Sequence, residues 1–199
     1  MELIAQVQGV DLGRLQPMSG WEAGAETDTD RGRVSVSLES PFHVRIRLHR
    51  VFALSEGWTN DLAAAVGVVG LWNRGGRLRE VHARFPFMSC TELAEAFEDG
   101  DPAPTKWRQL LTSDWHREEH PLLEGAHAHP ELRVCYPDIS MGSLMLSRTP
   151  FDPDSGLAKI TPLPEDRYRV TMLPTRFRRE VTSLAEALAV AADCFRSLT

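Results

Sequence analysis

Cysteine is scarce and widely spaced in this sequence. The chain has three cysteines among its 199 residues, Cys90, Cys135 and Cys194, and no two of them form a C-x-x-C pair. This spacing excludes the zinc-ribbon and dithiol redox signatures and favours a reducing compartment. We expect free, buried thiols, because an unpaired cysteine packs as a small hydrophobic side chain.

Long hydrophobic runs are also missing. The most apolar window, residues 62–72, is about half of the ~20 residues that a membrane-spanning helix needs, and two glycines interrupt it. Residues 1–8 carry an acid and no basic segment before a long apolar stretch, so no secretory signal is predicted. We therefore expect a cytoplasmic protein without a membrane partner.

Basic charge and catalytic motifs are in short supply. The 22 lysines and arginines are outnumbered by 28 acidic residues, which gives a formal net charge of −6. An acidic protein repels nucleic acid, so no nucleic-acid partner is expected. The sequence also lacks the G-x-S-x-G elbow of serine hydrolases and a glycine-rich loop that joins a strand to a helix around a phosphate. These absences favour a protein that is not an enzyme.

The composition is otherwise that of a folded globular protein, with 42% apolar and 25% charged residues. Alternating apolar residues predict a hairpin over residues 33–49, after an exposed loop over residues 20–32. A helix capped at Thr59 follows and ends at Gly75. The first ordered segment is thus a strand, a strand and a helix.

The C-terminal end repeats this order. Residues 143–148 and 167–173 predict the strands of a second hairpin, which its prolines make long and irregular, and a helix capped at Thr182 follows. Residues 91–97 and 105–114 predict short helices between the two ends. The sequence therefore predicts an α+β fold, in which two strand-strand-helix units form an internal pseudo-repeat with mainly antiparallel sheet. We expect one domain over residues 1–199, with units at 33–76 and 141–199 and a helical, loop-rich insert at 77–140.

Five tryptophans are candidates for anchoring roles. We predict that Trp58, Trp72, Trp107 and Trp115 are core or groove anchors. Trp21 lies in the polar loop, so we predict that it is the most exposed tryptophan and a contact for a partner.

The middle and C-terminal residues resemble a known family. The resemblance runs from about Val34 onward through Trp72, Leu78-Arg79-Glu80, Phe85-Pro86-Phe87, a Trp107-containing helix, Pro130 to Arg133, Tyr136-Pro137, Leu144 to Arg148, Tyr168-Arg169-Val170 and an alanine-rich last helix. In this order the residues resemble an uncharacterised actinobacterial family often labelled natural-product biosynthesis protein. The segment that begins Tyr136-Pro137 departs from the more aromatic form expected of that family. The resemblance implies a genomic setting and assigns no catalytic residue.

The polar face of the first hairpin is the main candidate binding site. Four basic side chains alternate with apolar residues and should line one side of a strand: His43, Arg45, Arg47 and His49. Arg167 and Arg169 should do the same on the second hairpin. If both hairpins share one sheet, this face is a basic strip for a phosphate, a carboxylate or an acidic partner. The alternative is a solvated face, or one paired with aspartate and glutamate.

A histidine-rich segment offers a different chemistry. His116, Glu119 and His120 match the inverted zinc-protease pattern H-x-x-E-H, in which two histidines on one helical face bind zinc and the glutamate acts as general base. His127 and His129 add two imidazoles that could face one ion from an extended segment. The proline after His120 favours a solvated, charged helix end instead.

The sequence therefore predicts a non-catalytic binding or accessory protein without a cofactor. It would recognise a protein partner or a small acidic ligand, in specialised metabolism or as the neutralising partner of a toxin. The alternative is a metal-dependent hydrolase that uses zinc at His116, Glu119 and His120. The sequence determines neither the oligomeric state nor whether the two hairpins share one sheet.

Overall fold

The computed structural model describes residues 1, 9, 11–17, 24–37, 39–48 and 52–198. It contains α-helices and two antiparallel sheets, which confirms the predicted α+β class. The chain divides into two compact units, Met1–Gly100 and Asp101–Thr199, and each unit has its own sheet and its own hydrophobic core. No helix in the described ranges is long and apolar enough to cross a membrane.

The first sheet has six described strands, and each pairs with its sequence neighbour. They are β1 Gln16–Pro17, β2 Gly24–Thr29, β3 Gly32–Ser37, β4 Phe42–Leu48, β5 Phe52–Thr59 and β6 Met88–Cys90. The predicted first hairpin is confirmed as β3 and β4, in which Val34 pairs with Ile46. These valine and isoleucine side chains are fully buried, as the alternating pattern requires.

The exposed loop predicted over residues 20–32 is wrong where strand β2 forms. Its sequence is mostly polar, so it lacks the apolar alternation by which a strand is recognised. Its polar residues pair across the sheet instead, since Glu26 and Asp28 both form ion pairs with Arg33 of β3. Thr27 lies opposite Val34 on the buried side.

Strand β5 lies between the predicted hairpin and the helix that follows it. It pairs with β4 on one edge and with β6 on the other, where Gly57 lies opposite Met88. A Cβ atom at position 57 would lie 2.1 Å from the carbonyl oxygen of Phe87, so this strand approach requires glycine.

Three described helices complete the first unit: α1 Leu62–Asn73, α2 Leu78–Arg84 and α3 Glu92–Asp99. Helix α1 is the predicted helix, but its N-cap is Asp61, whose carboxylate accepts hydrogen bonds from two first-turn amides. Thr59, the predicted cap, accepts a hydrogen bond from the Asp61 amide instead. Helix α3 confirms the helix predicted at residues 91–97, with Thr91 as its N-cap. The buried side of α1 packs on β3 and β4 and forms much of the core with Val66, Val69 and Trp72.

The second unit begins with helices and continues as a five-stranded sheet in the order β11-β10-β9-β8-β7. Its described elements are α4 Ala103–Thr112, a 3-10 helix Asp114–Glu119, α5 His120–Ala128, β7 Tyr136–Ser140, β8 Ser143–Ser147, a 3-10 helix Pro153–Ser155, β9 Leu157–Leu163, β10 Arg167–Leu173, β11 Phe177–Val181 and α6 Leu184–Arg196. Helix α6 packs on β9, β10 and β11.

The second predicted hairpin is wrong in its pairing. The strands predicted at residues 143–148 and 167–173 exist as β8 and β10, but β9 lies between them and pairs with both. The prolines predict an irregular hairpin, yet Pro162 lies near the end of β9 and pairs with Tyr168. The predicted cap of the last helix is also off by one residue. The side chain of Ser183, rather than that of Thr182, accepts a hydrogen bond from the Glu186 amide.

The segment predicted as a helical insert, residues 77–140, is divided between the units. Helices α2 and α3 lie in the first unit, whereas α4 and α5 lie in the second. The helix predicted at residues 105–114 corresponds to α4. The single domain predicted for the whole chain stays a prediction.

Candidate functional site

Strand β4 presents three of the predicted basic side chains on one side of the first sheet. His43, Arg45 and Arg47 are partly buried, whereas Val44 and Ile46 between them are fully buried on the other side. The alternation predicted from the sequence thus places the three side chains on one face, which we call the β4 face. Whether this face binds anything stays a prediction.

Two of the predicted contact residues, His49 and Trp21, lie outside the described residues. Nothing in the structure bears on their positions.

The β4 face includes a tryptophan that the sequence interpretation assigned to the core. Trp58 of β5 lies opposite His43, and the two rings stack with centroids 4.4 Å apart and an interplanar angle of 1°. Trp58 is 56% exposed, so the prediction of a core or groove anchor is wrong for this residue. Its side chain points away from the core because the strand places Glu56 and Trp58 on the face opposite to Gly57.

A carboxylate neutralises part of the predicted basic strip. Glu56 of β5 lies opposite Arg45, and its Oε2 atom lies 3.1 Å from Arg45 Nε and 3.4 Å from His43 Nε2. An exposed ion pair of this kind contributes only ~0–1 kcal/mol to stability. Its main effect is therefore to hold the imidazole and the guanidinium side by side next to Trp58.

Arg47 differs from the other cations of the first sheet. Arg33, its partner across the β3–β4 pair, binds Glu26 and Asp28 at 2.7 Å each, and the hydrogen bond from Arg33 lowers the pKa of Asp28. The Arg47 side chain has no ion pair with any described residue. It lines a surface cavity of about 350 Å³ together with Asp28, Asp30 and Arg33. Arg47 is thus the cation of the β4 face that remains available to an outside carboxylate.

The arginines of the second predicted hairpin do not extend this face. Arg167 and Arg169 lie on β10, which belongs to a different sheet from β4. Arg169 Nη2 lies 2.8 Å from Glu180 Oε1, and this hydrogen bond lowers the pKa of Glu180. A basic strip across one shared sheet is therefore excluded.

The H-x-x-E-H segment does not form one continuous α-helix. Residues Asp114–Glu119 form a 3-10 helix with a kink at His116, where φ is −111° and ψ is 25°, and His120 begins α5. His116 Nδ1 lies 3.9 Å from Glu119 Oε2, and His120 Nε2 lies 3.2 Å from the Ser113 carbonyl oxygen. The two histidines therefore do not lie on one continuous α-helix, which the expected i and i+4 placement requires, and metal binding by them stays a prediction.

The other two histidines of this segment have separate surroundings. His127 lies within α5, not in an extended segment, and its ring is 5.2 Å from that of Trp107. His129 accepts a hydrogen bond from the Glu131 amide at 3.4 Å. Among the residues with described positions, no group of three or more His, Cys, Asp or Glu side chains could hold a metal ion. The zinc alternative therefore stays a prediction that lacks geometric support.

The cysteines have the protonated character expected of packed thiols. Cys135 is 3% exposed, and burial raises its pKa to about 11. Burial also raises the pKa of Cys90 and of Cys194. All three cysteines are free, as expected, but only Cys135 is buried, whereas Cys90 and Cys194 are partly exposed. Because the thiolate is the nucleophilic form, this environment disfavours a catalytic cysteine.

The second unit has a partly apolar cavity that the sequence did not indicate. Its volume is about 240 Å³, and Tyr136, Met145 and Phe151 line it. Burial raises the pKa of Tyr136 to about 12. Two aspartates, Asp138 and Asp152, also line this cavity, and Lys106 Nζ lies 3.0 Å from Asp138 Oδ1, so the Asp138 carboxylate is already paired.

Sequence reasoning also missed residues that the fold gathers in the first unit. Trp58 could have been assigned to the β4 face once β5 was recognised, because strand alternation then fixes its direction. Arg31, Trp72 and Glu98 line a common cavity although they are far apart in the chain. No local pattern could have indicated that cavity.

One comparison with known protein families concerns the second unit. Residues 103–195 match the model of a family described as Family of unknown function (DUF6193). The matched residues run from the start of α4 almost to the end of α6. No curated protein and no solved structure matches the chain. The second unit is therefore similar to a protein family for which no function is described.

Proposed function

We propose that this chain is a non-catalytic binding protein that recognises an acidic protein partner through the β4 face. The observation that carries the proposal is Trp58, a large aromatic side chain that is 56% exposed and stacks flat on His43.

The aromatic pair supports the proposal through its energetics. Exposed tryptophans supply large contact areas at low cost in conformational entropy, and tryptophan is enriched among the residues that dominate interface affinity. His43 stacks on one face of the Trp58 ring and is itself paired with Glu56, so little further order has to be imposed on the ring when a partner binds.

Charge supports an acidic partner. Arg47 has no carboxylate of the described chain in an ion pair, whereas Arg45 already has Glu56. A partner carboxylate could form a bidentate contact with Arg47, and arginine suits such contacts because its guanidinium is planar. A negatively charged chain with a local cation also discriminates against partners that lack a matching acidic group.

The shape of the face favours a protein over a small molecule. His43, Glu56 and Trp58 stand on the outer surface of neighbouring strands, where a partner can cover several rows of side chains at once. The resemblance to a family often labelled natural-product biosynthesis protein supports a partner in specialised metabolism as part of the same proposal.

The proposal can be tested by site-specific cross-linking. A photo-reactive amino acid at Ser89, which is exposed on β6 opposite Glu56, reports contacts beside Trp58 without altering that residue. After irradiation in cells of the source organism, we expect one acidic protein to be captured. Purified, it should bind the unmodified chain, and Trp58→Ala should weaken binding about 30-fold, the loss typical of a central tryptophan. Arg47→Ser should weaken it less and reduce its salt dependence.

The matched control is Trp115→Ala in the second unit. Trp115 is 93% exposed, so its removal takes away the same side chain without affecting the β4 face. The captured protein should bind this variant with unchanged affinity. Equal binding by the Trp58→Ala and Trp115→Ala variants would overturn the proposal.

A further inference from the structure

The partly apolar cavity of the second unit lies on the outer side of its sheet. Leu144 and Leu146 of β8 are fully buried in the hydrophobic core of this unit. Because successive side chains of a strand point to opposite sides, Met145 and Ser147 point away from that core. Both of them line the cavity, whose volume is about 240 Å³.

Antiparallel pairing determines which side chains stand together on this outer side. Tyr136 of β7 lies opposite Ser147 of β8, which in turn lies opposite Leu157 of β9. In the next row Asp138 lies opposite Met145. Directly opposed residues share one side of a sheet, so all five side chains stand on the side of the cavity that they line.

Phe151 adds an aromatic wall from the loop that follows β8. The centre of its ring lies 6.3 Å from that of Tyr136, with an angle of 52° between the two planes. Its backbone has a φ of 64°, which is unusual for a bulky side chain. Phe151 is 43% exposed, and Met145 and Leu157 are partly exposed. A molecule from solution can therefore reach these apolar walls.

Lys106 indicates the chemistry that suits the Tyr136 side of the cavity. Its Nζ atom lies 3.0 Å from Asp138 Oδ1 and 6.0 Å from the centre of the Tyr136 ring. A carboxylate and an aromatic ring thus hold an ammonium group of the chain itself, and the same combination recognises organic cations. Lys106 does not line the cavity, so it neutralises Asp138 without filling the space.

Asp152 supplies a second carboxylate, next in sequence to Phe151. Its Oδ1 atom accepts a hydrogen bond from the Asp154 amide at 3.0 Å, which restricts the side chain. Asp152 has no ion pair with any residue in the described part of the chain. None of the described lysines and arginines lines the cavity, and this includes Lys159, which lies opposite Met145. The unpaired charge of the cavity is therefore negative.

The walls and the volume define the ligand. A dry cavity of roughly 150 Å³ accommodates benzene, so about 240 Å³ leaves room for an aromatic ring with a short side chain. An apolar body against Phe151, Met145 and Leu157 is removed from water. A cation is in addition attracted by the Asp152 carboxylate and by the aromatic rings, whereas an anion is repelled.

We propose that this cavity binds a small primary amine with an apolar body, whose ammonium group pairs with the Asp152 carboxylate beside the Phe151 ring. The site belongs to the second unit and does not depend on the β4 face, so it adds a ligand-binding role to the proposed recognition of a protein partner.

Calorimetric titration of the whole chain at pH 7 tests the proposal. The probe is 2-phenylethylamine, 2-phenylethanol is its neutral counterpart, and 3-phenylpropanoate is its anionic counterpart. We expect the amine to bind at millimolar concentration or below. The alcohol should bind about 5-fold more weakly, since an exposed ion pair contributes up to ~1 kcal/mol, and the carboxylate should bind more weakly still.

Asp152→Asn removes the charge and retains the ability to cap the 3-10 helix that follows, because asparagine is also a preferred N-cap residue. It should lower the affinity for the amine about 3- to 5-fold and leave that for the alcohol unchanged. Asp154→Asn is the matched control, since Asp154 is exposed two residues away and does not line the cavity. It should bind the amine as the wild type does.

Phe151→Gly tests the apolar wall. Glycine adopts a positive φ without strain, so the loop keeps its conformation while the ring is removed. The affinity for the amine and for the alcohol should both fall, because both probes lose the same contact.

The proposal is overturned if the amine does not bind the wild type at millimolar concentration, or if 2-phenylethanol or 3-phenylpropanoate binds as tightly as the amine. It is also overturned if Asp152→Asn and Asp154→Asn bind the amine equally. The comparison of the three probes uses the wild type alone, so it decides the question even if a variant fails to fold. Trp58→Ala should bind the amine normally, which separates this test from that of the β4 face.

Discussion

Two tryptophans of the second unit allow a direct test of its packing. Trp107 of α4 is 1% exposed, and its Nε1 atom donates to the Cys135 carbonyl oxygen at 3.0 Å. The substitution Trp107→Phe removes this donor and leaves a buried carbonyl oxygen unpaired, which costs ~1–3 kcal/mol. The smaller ring leaves space in the core and adds ~1–2 kcal/mol. We therefore expect a loss of about 2–5 kcal/mol in the free energy of unfolding of this unit.

The same substitution at Trp115 provides the control. Trp115 is 93% exposed, so Trp115→Phe should change the free energy of unfolding by less than ~0.5 kcal/mol. For a unit of this size each kcal/mol corresponds to roughly 4–8 °C, so Trp107→Phe should lower the melting temperature by at least ~8 °C. Urea and thermal unfolding, followed by circular dichroism, measure both effects. Equal unfolding midpoints for the two variants would refute the burial and the hydrogen bond assigned to Trp107.

Three further predictions concern ionisable groups. In a Tyr168→Phe variant, Tyr136 is the single remaining tyrosine, and its absorbance at 295 nm should titrate near pH 12, because burial raises its pKa to about 12. The contribution of the neutral Tyr136 phenol to the free energy of unfolding is complete below the ordinary pKa of ~10 and is lost as the pH rises through about 12, since in that interval only the unfolded chain ionises this phenol. A titration midpoint near 10 would contradict this. With the other two cysteines replaced by serine, Cys135 should resist iodoacetamide at pH 8 until the protein is unfolded, because burial raises its pKa to about 11; rapid modification of the native protein would disagree. Glu98→Gln should cost ~1–3 kcal/mol in urea unfolding, because it weakens charge-assisted hydrogen bonds to a carboxylate that is 9% exposed; an unchanged midpoint would show that the Arg31 contact is not formed.

The elements that could be predicted are those whose residues alternate by hydrophobicity. β3 and β4 follow from Val34, Val36, Val44 and Ile46, because one buried face imposes a period of two on the strand. The sequence did not predict β11, and the reason is the same as for β2, namely that the strand lacks alternating apolar residues. Its four residues from Phe177 are exposed, so its place in the sheet depends on pairing with β10 and leaves no apolar pattern.

The H-x-x-E-H segment illustrates a limit of motif spacing. The i and i+4 positions of His116 and His120 share a face only if the helix between them is continuous. In this protein the segment is a kinked 3-10 helix followed by a new α-helix. The residues have the spacing of the motif, but the backbone between them is not the continuous α-helix that the motif requires.

The sequence by itself determined the α+β class, the first hairpin and the side of β4 on which its basic residues lie. Each of these depends on neighbours in the chain, whose period is set by backbone geometry. Only the tertiary structure decided that Trp58 is exposed and stacked on His43, and that Glu56 neutralises Arg45. Likewise, Arg31 meets Glu98 across 67 residues of sequence, and this contact arises because the core brings separate elements together. Local periodicity carries no information about such distant pairs.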